Sequence, residues 1–378
     1  MMTQAVRSQP RSLCVRASPW VLPLLLVCAC SPAGAAGEGR DYVAPASLDR
    51  VAAVVAPVAL PAAGMIQDFD VAGERLYLLE REGRVVVLVQ AGDAWRFATT
   101  FGRPGAGPGE FRNASGIAAT SEDVVVADWG RLQRFSTAGE LLSTEQLLLP
   151  CIMARPSVAA GATGLFVHGN CMRAAYATDT MKAVLAWAPP GGEFRIVAED
   201  VRFTLDGRVG SILGAPLAFT DGPAGRHLFG TGVANCVWQV EERGAGGRAT
   251  PDPSIRAVCP AVQELYSADP PPELERRLRR GIRGVSLGWP KTLPVYVSRL
   301  LAGESVILLR PVSADSLVLQ VAGPAGEASA DLAVAPMDGF VGCRSGGCLW
   351  AIDEGMTQHV LFLDTTRLRR LSEAQAGR

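Results

Sequence analysis

The feature that most constrains this chain is a four-strand rhythm that returns along most of its length. Between residues 114 and 148, Ala114–Thr120, Asp123–Trp129, Arg131–Thr137 and Leu141–Leu148 read as strands. Turn residues at SED, WG and AGE separate them, and the run DVVVAD is β-branched as a sheet interior favours. Strand sets of the same kind cover 65–101, 154–200, 217–260 and 293–334, and a set one strand short covers 339–364. A sheet that repeats at this spacing buries its faces only against its own copies. The missing outer strand is expected from the apolar N-terminal segment Leu48–Ala56, because a ring closed by strands from both chain ends leaves no open edge between first and last sheets. The sequence therefore predicts an all-β chain, a six-bladed β-propeller over 47–366 closed by an N-terminal strand. Its blades start near 65, 114, 154, 217, 292 and 338, and a C-terminal tail follows at 367–378.

The stretch FGRPGAGPGEFRNASGIAATSEDVVVADWGRLQRFSTAGE, residues 101–140, is rich in glycine. A phosphate-binding loop would lead into a helix whose free N–H groups hold the anion. Here a strand follows, and no Gly-Lys-Ser/Thr is present. Gly102, Gly105, Gly107 and Gly109 instead fit a bent connection between sheets, anchored by Phe111. The pattern GPGEF…GIAAT…VADWG-RLQRF…GE resembles an NHL repeat over these residues, with Ser115 where the family has proline. The other units match in rhythm alone. The resemblance is to NHL- or TolB-like bacterial six-bladed propeller lipoproteins, and it implies structural roles for Asp128 and Arg131.

The N-terminus carries Arg7, Arg11 and Arg16 ahead of an apolar run from Trp20 to Ala29, with no acid before Glu38. That is the form of an export signal, too short to span a bilayer. Val27-Cys28-Ala29-Cys30 resembles a bacterial lipobox, which implies cleavage after residue 29 and acylation of Cys30. Ser31 then points to an outer-membrane lipoprotein of a Gram-negative cell, its domain facing the periplasm or the exterior. Residues 30–46 read as a small-residue tether. The 36 basic residues less three leader arginines leave 33 against 37 acidic ones, a net charge of −4. No basic footprint for nucleic acid exists.

Six cysteines follow the lipobox, an even number in an exported chain. Placed on the predicted strands, they fall at matching edges as Cys151–Cys171, Cys236–Cys259 and Cys343–Cys348, and these are the expected disulfides.

In a propeller, the connections between sheets and the loops between second and third strands share one face. The long segments 102–113, 170–182 and 261–291 fall there, and loops of that length carry function. The third contains a short helical insert at 269–284, capped by Asp269 with Pro270 in its first turn. Leu274, Leu278 and Ile282 line one side; Arg276, Arg277, Arg279, Arg280 and Arg283 make the other basic. Candidate binding residues on this loop face are Trp129, Arg131, His168, Asn170, Trp289, Lys291, Tyr296, Arg310, Asp353 and Glu354.

Fold alone does not give function. The expectation is a non-catalytic, monomeric, membrane-anchored propeller that binds a protein, peptide or glycan through its loop face, with no cofactor. The alternative is a lactonase- or lyase-like six-bladed enzyme, for which Ca²⁺ would be the metal and Asp68, Asn113 and Asp338 the nearest ligands. His168, His227 and His359 are the only histidines, and no GxSxG nucleophile elbow occurs.

Overall fold

The computed structural model describes residues 46–47, 58–61, 64–92, 94–172, 180–204, 220–222, 226–230, 237–243, 249–258, 298–302, 305–311, 316–322, 328–336, 340–344, 346–354 and 357–364. Residues 45–378 form one compact unit. The expected export signal, the tether up to residue 45, the helical insert at 269–284 and the tail at 367–378 lie outside the described residues. Every regular element among those described is a strand. No helix there is long and apolar enough to cross a membrane.

The strands form antiparallel meanders. Sheet I comprises Ile66–Ala72, Arg75–Glu80, Arg84–Ala91 and Ala94–Phe101, and sheet II comprises Ala114–Ala119, Asp123–Asp128, Arg131–Ser136 and Leu141–Gln146. Sheet III holds Ile152–Ala160, Leu165–Met172, Thr180–Ala188 and Arg195–Thr204. Sheet IV holds Thr220–Gly222, Arg226–Gly230, Val237–Arg243 and Ala249–Val258. Sheet V holds Ser298–Ala302, Ser305–Pro311, Ser316–Ala322 and Ala328–Pro336. Sheet VI contains Phe340–Arg344, Gly347–Glu354 and Thr357–Asp364, completed by the N-terminal strand Val58–Pro61. This is an all-β propeller architecture.

Why such sequences make propeller sheets is visible in the second strands. Arg75–Glu80 and Asp123–Asp128 are buried on both faces. Tyr77 and Leu79 pack toward sheet II, while Leu76 and Leu78 pack toward sheet VI. Val124 and Val126 face sheet I, and Val125 and Ala127 face sheet III. Sheets I and II are thus each sandwiched between two neighbours, and each fully buried aliphatic side chain contributes roughly 1.5–3 kcal/mol. The outermost strand Leu141–Gln146 is largely exposed. Between sheets I and II the Phe135 ring meets Phe101 and Phe111, with centroids 4.9 and 5.6 Å away.

An N-terminal strand does complete sheet VI, but it is Val58–Pro61; the expected Leu48–Ala56 lies outside the described residues. Val58–Pro61 pairs antiparallel with Thr357–Asp364 in the register Val58↔Val360 to Pro61↔Thr357. Leu60 is its buried anchor, packed with Leu349, Val360 and Phe362. A second N-terminal strand, Ala46–Ser47, was not anticipated; it adds in parallel to Ala328–Pro336 of sheet V. Of the expected disulfides, Cys343–Cys348 is formed across the register pair Cys343↔Cys348, both fully buried. Cys151 is disulfide-bonded as well. Cys236, Cys259 and the side chain of Cys171 lie outside the described residues.

Candidate functional site

The glycine-rich connection between sheets I and II is a clasped loop. Within it Arg103–Pro104 and Glu110–Phe111 pair as a short parallel ribbon. Asp128, the last residue of its strand, is fully buried. Its Oδ1 accepts the Arg112 and Asn113 N–H groups at 2.9 and 2.6 Å. Its Oδ2 accepts Nε and a terminal nitrogen of Arg131 at 3.0 and 2.8 Å. Arg131 also donates to the carbonyls of Ala106 and Glu110, at 2.8 and 2.9 Å. Buried Gln133 closes the set, donating to the Glu110 carbonyl at 2.7 Å and accepting from the Gly109 N–H at 2.8 Å. Gly102 has φ +76°, and a Cβ there would lie 2.2 Å from the Phe111 ring. The glycines serve a turn that bends over Phe111.

Sheet I repeats the clasp. Glu80 ends its second strand, Arg84 opens its third, and two hydrogen bonds of 2.7 and 2.8 Å join them. The bond to Glu80 holds the Arg84 pKa above its ordinary value, against the opposing effect of burial. An acid before the hairpin loop and an arginine after it, as in LLEREGR and VADWGR, is the sequence signal for this device.

Between Asp128 and Arg131 stand only Trp129 and Gly130, both at positive φ, 41° and 78°. Two positive-φ residues are what a two-residue type I′ hairpin loop requires, and Asn-Gly is the usual occupant. Here a tryptophan takes the first place and leaves 65% of its surface exposed. Gly130 accepts the Leu147 N–H at 2.8 Å. Leu148, next in sequence, is 80% exposed, and the Arg112 N–H is held by Asp128, the residue before Trp129.

The other expected loop-face residues are placed as follows. Arg131 is the clasp itself, its side chain mostly covered. His168 is not on the surface: it is fully buried, its ring edge-on to Phe229 and Trp238 at 5.7 and 5.9 Å. Asn170 lies in the second strand of sheet III, opposite Ala154 and Ala183. Arg310 pairs with Val318, Asp353 with Gln358 and Glu354 with Thr357 at strand ends of sheets V and VI. Trp289, Lys291 and Tyr296 lie outside the described residues.

Sequence reasoning missed a cluster on the inner strands. Arg344 of sheet VI is buried and donates to both carboxylate oxygens of Asp68 in sheet I, the Nε bond being 3.1 Å. It also donates to the Val158 carbonyl of sheet III at 3.1 Å. Asp68 further accepts the Ile117 N–H and Asp70 the Ala119 N–H, at 2.9 and 2.8 Å. Burial raises the Asp70 pKa to about 6, with Arg344 and two backbone N–H groups pulling the other way. Asp68 is shifted upward too, by burial, against the charge of Arg344. Asp68 was the first ligand expected under the metal-enzyme alternative; it is committed to a guanidinium. Asn113 gives its N–H to Asp128, and Asp338 lies outside the described residues. Among the described residues no group of three or more His, Cys, Asp or Glu is placed to hold a metal ion.

A third polar knot joins sheets III and IV. Buried Glu242 accepts the Ala162 and Thr163 N–H groups, both at 2.8 Å, and the Thr163 hydroxyl at 2.5 Å. His227 Nε2 lies 2.6 Å from its other side. Burial pushes the Glu242 pKa up, but the His227 and Thr163 contacts prevail and hold it at about 2.

Solved structures similar to this chain include the following three. A catalytically inactive virginiamycin B lyase from Staphylococcus aureus with quinupristin is 13% identical, covering 80% of this chain and 83% of that one, with TM-score 0.38. The Cps50 (Swd1) β-propeller domain of Myceliophteria thermophila is 9% identical over 81% and 99%, with TM-score 0.44. The Pan2 WD40 domain of Neurospora crassa is 9% identical over 80% and 93%, with TM-score 0.36. No protein-family model and no curated protein matches the chain. The fold assignment rests on the sheets themselves.

Proposed function

We propose that this protein is a non-catalytic binding propeller, monomeric and lipid-anchored through Cys30 to the outer membrane, that holds a protein, peptide or glycan partner on its loop face. Its sheets I to VI would close as six blades around the Asp68–Arg344 cluster, with Val58–Pro61 as the closing strand. The observation that carries the binding reading is Trp129. A large aromatic sits where the hairpin favours Asn or Gly, at a positive φ that costs an L-residue roughly 1–2 kcal/mol. The Asp128 clasp over-determines that position, and strain held in this way marks functional sites. Tryptophan and arginine are also the residue types that dominate binding energy at interfaces.

The test is crosslinking of the full chain to a detergent extract of its native envelope, comparing the protein with Trp129→Gly. One dominant adduct, reduced tenfold or more in the variant, supports the reading. An adduct pattern that Trp129→Gly leaves unchanged overturns it.

A further inference from the structure

The outer edge of sheet V already holds an added strand. Ala46–Ser47 pairs in parallel with Ala333 and Val334. These lie opposite Leu319 and Val318, the fourth and third residues of Ser316–Ala322, and the register shifts immediately beyond Leu319. Sheet II has the same setting. The fourth and third residues of Arg131–Ser136 are Arg134 and Gln133, which lie opposite Ser143 and Thr144, and the register again shifts immediately beyond the fourth. Among the described residues no strand lies outside Leu141–Gln146, and Thr144, Glu145 and Gln146 are exposed. An outermost strand leaves a row of N–H and C=O groups without a ladder partner. At the end of this edge Leu147 donates its N–H to the Gly130 carbonyl at 2.8 Å, tying it to the Trp129–Gly130 turn, and exposed Leu148 follows. The other edges differ. Val58–Pro61 takes the outer place in sheet VI, and Pro251 and Pro253 interrupt the outer strand of sheet IV. Sheet I presents Thr99 and Thr100 at the matching places, but its strand ends in buried Phe101.

We propose that the outer edge of sheet II, at Ser143–Gln146, receives an extended peptide segment of the loop-face partner by strand addition, in parallel as Ala46–Ser47 is received by sheet V. This rests on the loop-face reading above and narrows its partner to a peptide. A glycan has no regular series of N–H and C=O groups to continue a ladder. Leu141–Gln146 is a fourth strand and runs toward the loop face, so a parallel segment runs the same way and brings its C-terminal end to Leu148. Backbone hydrogen bonds along the edge supply the affinity, and an apolar side chain at that end supplies selectivity. The residues set against Ser143 and Thr144 are small, as Ala46 and Ser47 are in sheet V.

The probe is acetyl-Lys-Thr-Ala-Ser-Val-Leu amide, which places Ala-Ser at the pairing positions and leucine at the loop-face end. Its control carries N-methyl groups on the alanine and serine nitrogens, which removes their N–H groups and keeps every side chain. Hydrogen exchange of the full chain is followed with each peptide. The unmethylated peptide is expected to slow exchange within residues 143–146 by about tenfold, and the methylated one to leave it unchanged. Leu148→Ser, a surface change, is expected to melt as the parent does and to weaken the unmethylated peptide by about tenfold. No slowing at 143–146, equal slowing by both peptides, or equal slowing at Thr99 and Thr100 overturns strand addition at sheet II. The envelope adduct that Trp129→Gly reduces is scored separately. If it forms while the edge stays unprotected, strand addition is overturned and loop-face binding stands.

Discussion

Trp129 and Asp128 are neighbours with opposite duties. Asp128 satisfies two loop N–H groups and a guanidinium from a fully buried position, while Trp129 gains no burial from its strained φ. Replacing Trp129 with Asn, which tolerates positive φ far better, is expected to raise the melting temperature by a few degrees. A calorimetric scan checks this; a fall in melting temperature would mean that the indole packs for stability. Asp128→Ala is expected to destabilise the fold by roughly 3–5 kcal/mol, because it leaves Arg131 and two N–H groups without their acceptor. Urea unfolding gives the total, and hydrogen exchange at residues 102–113 shows whether the loss is centred on the loop. The sequence exposed the motif here but not the strain. VADWGR announces a tight hairpin, yet only the backbone reveals that tryptophan has taken the place of asparagine.

At the scale of elements, the second strands were legible because burial on both faces leaves a continuous apolar run, as in RLYLLE and DVVVAD. Inner strands were read less well. Ala114–Ala119 is built from small residues because sheet III approaches closely there. A Cβ on Gly116 would lie 2.6 Å from the Pro156 carbonyl oxygen and 2.8 Å from the Ser157 Cα. Gly116→Ala is accordingly expected to destabilise the protein by about 1–3 kcal/mol, measured by denaturant midpoint, since the obstacle is backbone and cannot swing aside. His168 shows the converse error. A histidine in a strand was placed on the surface from its position near a strand end, but the Phe229 and Trp238 rings that cover it come from another sheet. No local pattern carries that information. The N-terminal strand was misplaced for the same reason: its partner lies some 300 residues away.

For the whole molecule, the informative group is Arg344, which ties sheet VI to sheets I and III through Asp68 and Val158. Arg344, Asp68 and Val158 come from three distant stretches of sequence, so the cluster could not be read in advance. The cluster has a pH signature. Asp70 has its pKa raised to about 6, above the ordinary 3.8, so its contribution to stability is complete below about pH 3.8 and is lost as pH rises through 6. Stability relative to Asp70→Asn is therefore expected to fall between about pH 4 and pH 6. Paired urea titrations across that range check the sign; a difference that stays constant would remove Asp70 from the account.

The most direct test of loop-face binding is site-specific photo-crosslinking in the intact envelope. A photoreactive phenylalanine would be placed at position 129 and, as comparison, at Phe97, which is exposed on the outer strand of sheet I. Binding through the loop face predicts one dominant adduct from 129 and none from 97. Equal adducts from both positions, or an adduct from 97 alone, would contradict it.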